Sequence, residues 1–160
     1  MSMEIILADY NDPSHARDIV YLLNDYAMDI MGGGKPLPGE VTDNLCMELA
    51  KRPGAFSLIC YVDNTAVGLV NCLESFSSFN CKPVINIHDI TIVEAFRGLG
   101  ISKALLQRVE EIARQQGACK LTLEVMDDNI IAKTAYKKFG FTDYTLDNMS
   151  GPALFWEKKI

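Results

Sequence analysis

Histidine is scarce in this chain. Only two occur among 160 residues, at His15 and His88, and no cluster of cysteine accompanies either, so a zinc site lacks its ligands and no metal is expected. Long hydrophobic runs are absent too. None approaches the ~20 residues a helix needs to cross a bilayer, so no membrane partner is expected. Met1 to Asp9 carry no basic region and no long apolar stretch, hence no readable secretory signal. Positive charge is in deficit: 15 Lys and Arg stand against 21 Asp and Glu, a net charge of −6. That argues against a nucleic-acid partner, because neutralising phosphates takes a positive surface.

The five cysteines, Cys46, Cys60, Cys72, Cys81 and Cys119, are odd in number, and no pair has C-x-x-C spacing. Reduced thiols in a cytoplasmic protein are the expectation. Cys60, Cys72 and Cys119 lie in apolar segments and are expected to be buried and inert. What remains is an ordinary globular composition, 49% hydrophobic and 22% charged. It supports one domain over residues 1–160 with a sizeable core.

Apolar periodicity and turn residues set the expected elements. Glu4 to Ala8 reads as a strand. Asp12-Pro13 starts a helix, with a capping residue before a first-turn proline. Its buried face is Ala16, Ile19, Val20, Leu23, Tyr26, Ala27 and Ile30, and Gly32-Gly33-Gly34 ends it. A loop and a short helix, Thr42 to Lys51, follow. Ala55 to Val62 and Thr65 to Glu74 form a hairpin around Asp63-Asn64. Ser75 to Lys82 is polar and reads as irregular, and Pro83 to Val93 is a β-branched strand. A helix then runs from Ile101 to Gln116, with Ile101, Ala104, Leu105, Val109, Ile112 and Ala113 inward and Gly117 as its C-terminal cap. Lys120 to Met126 is a strand. Asp128 or Asn129 caps a helix to Lys138, and strands are expected near Phe141 to Leu146 and Ala153 to Lys159. Hairpins first and β-α-β-α later predict an α+β fold: a mixed, mostly antiparallel twisted sheet with helices on both faces.

The most informative segment is Ile90 to Lys103, ITIVEAFRGLGISK, a strand, a glycine turn and a helix. A helix start gathers free N–H groups and about half a positive charge. Gly98 and Gly100 let backbone approach a ligand closely. Arg97 and Lys103 flank the turn, and the arrangement suits a pyrophosphate. The segment is neither a Walker loop nor G-x-G-x-x-G.

Here the sequence resembles the GNAT superfamily of acetyl-CoA-dependent N-acetyltransferases. The family pattern [Q/R]-x-x-G-x-[G/A] stands as Arg97-Gly98-Leu99-Gly100-Ile101-Ser102, with Ser in place of Gly or Ala at the end. The resemblance continues through Leu121 to Val125 and through Asn129, Ala132, Tyr136, Gly140 and Phe141, covering residues 85–142. It implies acetyl-CoA as cosubstrate, with no metal required. Backbone of Ile90, Thr91 and Ile92 is implied to pair with the pantetheine arm, and a strand N–H near Ile92 to steady the tetrahedral oxyanion. The N–H groups of Gly98, Leu99, Gly100, Ile101, Ser102 and Lys103 are implied to hold the pyrophosphate, and Asn129 to contact the arm. Tyr136 is implied to protonate the leaving thiolate.

The acceptor must be a neutral amine at the moment of attack, so a base has to take a proton. His88 and Asp89, just before the pairing segment, are candidates, and Glu124 stays in the set. Tyr26, Asp29, Met31, Lys35, Glu74, Phe76 and Phe79 are candidates for the acceptor side, where acids and aromatics together suit a cationic amine. The expected activity is transfer of acetyl to a primary amine of a small molecule. Alternatives are a protein or peptide acceptor, or a domain that binds acetyl-CoA without turnover. The resemblance leaves room for a homodimer.

Overall fold

The computed structural model describes residues 1–145 and 151–160 and divides them into two compact units, Met1–Met126 and Asp127–Ile160. The first unit holds five strands: β1 (Met3–Leu7), β2 (Ala55–Val62), β3 (Thr65–Ser77), β4 (Lys82–Ile92) and β5 (Lys120–Leu123). It also holds three helices: α1 (Pro13–Met28), α2 (Gly39–Ala50) and α3 (Ile101–Gln115). The strands lie side by side in chain order, antiparallel except for the parallel pair β4 and β5. The expected α+β class and mixed sheet are therefore borne out.

Local chemistry accounts for most boundaries. The Asp12 carboxylate accepts from the N–H groups of Ser14 and His15, and Pro13 occupies the first helical position. Asp63 and Asn64 both take positive φ, 46° and 63°, as a two-residue hairpin turn requires. Consecutive residues of β3 send the helices to opposite faces. Leu69 packs with Ile59, Ile19, Leu22 and Cys46, which places α1 and α2 on its face. A Cβ on Gly68 would meet Ile101 and Leu105 side chains of α3 at 3.1 and 3.2 Å, which places α3 on the other. Ile101, Leu105, Leu106, Val109, Ile112 and Ala113 of α3 are buried; truncating one of the leucines to Ala costs about 2–5 kcal/mol.

Several expectations change. Helix α1 stops at Met28, because Asp29 turns extended and its carboxylate caps a short 3₁₀ turn over Ile30–Gly32. Ile30 is thereby swung out to 88% exposure, and Leu22, outside the expected inward face, is fully buried. Strand β3 continues to Ser77, paired with β4 as far as Lys82, so Ser75 to Lys82 is ladder and turn. Strand β5 ends at Leu123, opposite Ile87, and does not reach Met126. Cys60 and Cys72 are buried as expected and Cys119 is half-buried.

In the second unit α4 (Ile130–Phe139) is capped by Asn129 and ended by Gly140. Of the two strands expected after it, the described residues keep one antiparallel bridge, Thr145 to Pro152, with Ala153 N–H donating to the Tyr144 carbonyl at 2.7 Å. Leu146 lies outside the described residues. Pro152 has no N–H to extend the ladder, and Leu154, Phe155 and Trp156 are consecutive apolar residues without the alternation a half-buried strand needs; all three are exposed.

Candidate active site

Strand β4 runs through a 3₁₀ turn, Glu94–Phe96, into Arg97 and the glycine turn. Gly98 and Gly100 have φ of +80° and +81°, and a Cβ on either would meet nothing within 4 Å. The glycines serve backbone shape and leave space in front of the turn. Gly100 caps α3 without any side-chain hydrogen bond. Among the described residues no acceptor is bonded to the N–H groups of Gly98, Leu99, Gly100, Ile101, Ser102 or Lys103. Six successive free donors at the start of a 15-residue helix suit an anion. Lys103 is exposed beside it.

Arg97 is engaged elsewhere. Its Nη2 donates to Asp29 Oδ2 at 2.9 Å and its Nε to the Ile92 carbonyl at 3.0 Å. The guanidinium thus clasps the turn to the end of α1. Arg97 holds the Asp29 carboxyl below its ordinary range, helped by the Met31 N–H.

The neighbouring strand edge is open. Pairing of β4 with β5 stops at Ile87, whereas pairing with β3 continues from Asp89 to Ile92. Val93 N–H donates to the Val67 carbonyl at 2.9 Å. By the two-residue alternation of an antiparallel strand, Asp89 and Thr91 also bond toward β3, and Ile90 and Ile92 turn their N–H and C=O groups to the edge where β5 has ended. Two of the three expected pairing residues are thus presented; Thr91 faces the sheet and is buried.

The break in pairing has a cause in the register. Asn71 stands opposite Asp89 and Cys72 opposite Ile87, so His88 is the extra residue of a β-bulge. His88 is exposed, and among the described residues its side chain makes no hydrogen bond. The expectation of a histidine inside an apolar strand therefore gives way to a bulge histidine. Asp89 is half-buried and accepts from Asn71 Nδ2 at 3.0 Å. Burial first, and then the charges of Asp89 and Asp29, raise the Tyr26 phenol above its usual range. Burial, with the Asp89 charge second, pushes the Cys72 thiol up to about 12.

The other acceptor-side candidates divide. Tyr26 is half-buried and its hydroxyl reaches the Met31 carbonyl at 3.5 Å. Phe76 and Phe79 are 63% and 92% exposed, and Lys35, Glu74 and Glu124 are exposed as well. Sequence reasoning missed Tyr10, Ser57 and Asn71, which continue the hydrogen-bonded row behind Asp89. Ser57 and Asn71 interrupt buried apolar strands, and that interruption was the only available signal.

In the second unit, Asn129 Oδ1 accepts from the Ala132 N–H at 3.2 Å, which commits the oxygen to capping α4. Tyr136 is half-buried on α4, its ring edge-on to Phe141 with centroids 6.0 Å apart. Among the described residues no group of three or more His, Cys, Asp or Glu side chains could hold a metal ion, and no helix is long and apolar enough to cross a membrane.

An open strand edge leading into free amides at a helix start offers pairing groups for an extended ligand and donors for an anion at its end. A sequence model of the acetyltransferase (GNAT) family matches residues 20–141, and the chain belongs to that family. It is an acetyltransferase that uses acetyl-CoA. Streptothricin acetyltransferase A of Bacillus subtilis is 26% identical over 126 residues, 74% of this chain and 70% of that protein. Streptothricin acetyltransferase of Streptomyces lavendulae is 36% identical over 74 residues, 46% of this chain and 38% of that one. Among solved structures, the aminoglycoside N-acetyltransferase AAC(6')-Iy in complex with CoA superposes with a TM-score of 0.76 at 18% identity, covering 99% of this chain and 96% of that chain. A probable acetyltransferase reaches a TM-score of 0.80 at 21% identity, covering 98% and 99%. These structures share the fold.

Proposed function

We propose that the acceptor is a small, cationic primary amine. The observation that carries this reading is the half-buried Asp89 carboxylate, held by Asn71 and standing on β4 just beyond the point where its pairing with β5 ends. Asp29 is already paired with Arg97, so Asp89 is the carboxylate left to meet an ammonium group. Relatives that act on streptothricin, and fold neighbours that act on aminoglycosides, support the same class.

In this reading the N–H groups of Gly98 to Lys103, with the Lys103 ammonium, hold the pyrophosphate. Ile90 pairs with the arm, and Asn129 stands at the motif position that the family gives to an arm-contacting residue. The lone pair of the neutral amine attacks the acetyl carbonyl, and Asp89 takes the proton that the nitrogen sheds as the amide forms. The Ile92 N–H donates to the oxygen that becomes negative. As the C–S bond breaks, the sulfur accepts a proton from Tyr136, the residue at the family's motif position. Asp89 is favoured over His88 as base because its carboxylate is partly desolvated and fixed by Asn71.

Release of free thiol, followed over a panel of polyamines, aminoglycosides, amino acids and peptides, tests the assignment. Cationic amines are expected to give the highest kcat/KM. Turnover confined to peptides would refute it. Asp89→Asn is expected to lower kcat, whereas His88→Gln keeps the wild-type rate; the reverse result would move the base to His88.

A further inference from the structure

Three adjacent strands carry polar residues directly opposite one another: Ser57 on β2, Asn71 on β3 and Asp89 on β4. They share the face of the sheet that packs α1 and α2, in a row flanked by Ile59 and Leu69. Ser57 is fully buried and Asn71 is 6% exposed. Polar side chains at such positions are costly unless each is satisfied, and here each is. Tyr10, in the loop after β1, lies 2.9 Å from Ser57 Oγ through its hydroxyl; Ser57 Oγ donates to Asn71 Oδ1 at 2.6 Å; Asn71 Nδ2 donates to Asp89 Oδ2 at 3.0 Å.

The direction of the row is fixed by donor inventory. Asn71 Oδ1 can only accept, so the single proton of Ser57 is spent on it. Ser57 Oγ is then an acceptor toward Tyr10, whose hydroxyl must donate. Burial raises the Tyr10 phenol above its usual range, which keeps that hydroxyl protonated. With its oxygen held by Ser57, the Asn71 amide has its NH₂ toward Asp89 and cannot flip without losing both bonds. An amide passes no proton along such a row, so the row is a brace and not a wire.

We propose that Tyr10, Ser57 and Asn71 are positioning residues that hold the Asp89 carboxylate in place for the amine. The proposal rests on the reading of Asp89 as base and assigns the row a role beyond joining strands. Small misplacement of a reacting group can cost up to about 10²-fold in rate. Loss should therefore fall with distance from Asp89: about tenfold or more in kcat for Asn71→Leu, several-fold for Ser57→Ala, and about twofold for Tyr10→Phe, with the KM of acetyl-CoA unchanged in all three.

The test is a double-mutant cycle in the full chain. Ser57→Ala and Tyr10→Phe are made in the wild type and in Asp89→Asn, and kcat is measured with acetyl-CoA and a polyamine. The proposal expects each to lower kcat in the wild type and to have no further effect beside Asp89→Asn. Equal losses in both backgrounds would show that the row serves the sheet alone and overturn it. A wild-type rate in Asp89→Asn would instead overturn the assignment of the base, and the brace with it. As a measurement independent of turnover, the side-chain amide signals of Asn71 in ¹⁵N spectra are expected to shift in Asp89→Asn and in Tyr10→Phe. Signals unmoved in both would mean that the row is not formed in solution.

Discussion

Gly100 and Gly117 stand at opposite ends of α3 with nearly the same backbone. Their φ values are +81° and +72°, and a Cβ on either would meet nothing within 4 Å. Replacing either by Ala therefore imposes the left-handed penalty and nothing else, about 1–2 kcal/mol. Unfolding by denaturant should show that loss in both variants, and their Tm should drop by about 2–4 °C per kcal/mol for a chain of this size. Binding of CoA should separate them. At Gly117 no phosphate-facing amide is near. At Gly100 the new side chain stands in the open space before the free amides, and any relaxation toward negative φ rotates the donors of Gly100 and Ile101. Loss of one charge-assisted hydrogen bond is worth about 1.5–3 kcal/mol, which corresponds to roughly 10- to 150-fold in Kd. Isothermal calorimetry with CoA on the two variants and the wild type reads this directly. Equal affinities for Gly100→Ala and Gly117→Ala, at equal stability, would refute the placement of the pyrophosphate on this turn.

Further outcomes follow from other residues. Tyr136→Phe removes a proton donor and little volume, so kcat should fall about 10²-fold while affinity for acetyl-CoA holds; an unchanged kcat would make Tyr136 a packing residue. A Cβ at Gly68 would already stand 3.0 Å from Ile92 Cδ1, so Gly68→Val should lift α3 from the sheet at a cost of about 1–3 kcal/mol in denaturant titrations, and wild-type stability would contradict the packing described. Asp29 is held below its ordinary range by Arg97. Its contribution to stability is therefore present above the unfolded pKa near ~3.9 and is lost as pH falls through the lower folded value. For this half-exposed pair it amounts to at most about 1 kcal/mol, and Arg97→Gln should remove that increment from acid unfolding curves. Curves that coincide would mean that the pair is not populated in solution.

How much of this was legible follows from the range over which each signal acts. Asp12-Pro13, Asp63-Asn64, Gly117 and Gly140 are local signals, and the elements they bound fall within a few residues of expectation. The glycine turn at Gly98 and Gly100 is local too, and the proposed pyrophosphate site rests on it. The bulge at His88 depends on the register of β3 against β4, which no short window contains. It also explains why β5 stops at Leu123. The Arg97 clasp joins residues 68 positions apart, and so the cation expected to serve the phosphates is found on Asp29. The row from Tyr10 to Asp89 draws on four separate segments, each of which alone shows only an odd polar residue. Leu22 and Leu106 were missed because the buried faces of α1 and α3 are broader than the narrow stripe used to read them.

The strand edge left where β5 ends carries a second consequence. Unpaired N–H and C=O groups on a strand are a template for any other extended chain, including another copy of this one. The arm proposed to pair there would shield that template whenever it is bound. Ligand at a hundredfold excess over its Kd adds about 2.7 kcal/mol to the folded state, a large share of the margin on which a domain of this size persists. Cellular abundance of this protein should then follow the supply of acetyl-CoA, with starvation for the cosubstrate exposing it to proteolysis and self-association before any loss of catalytic competence is felt.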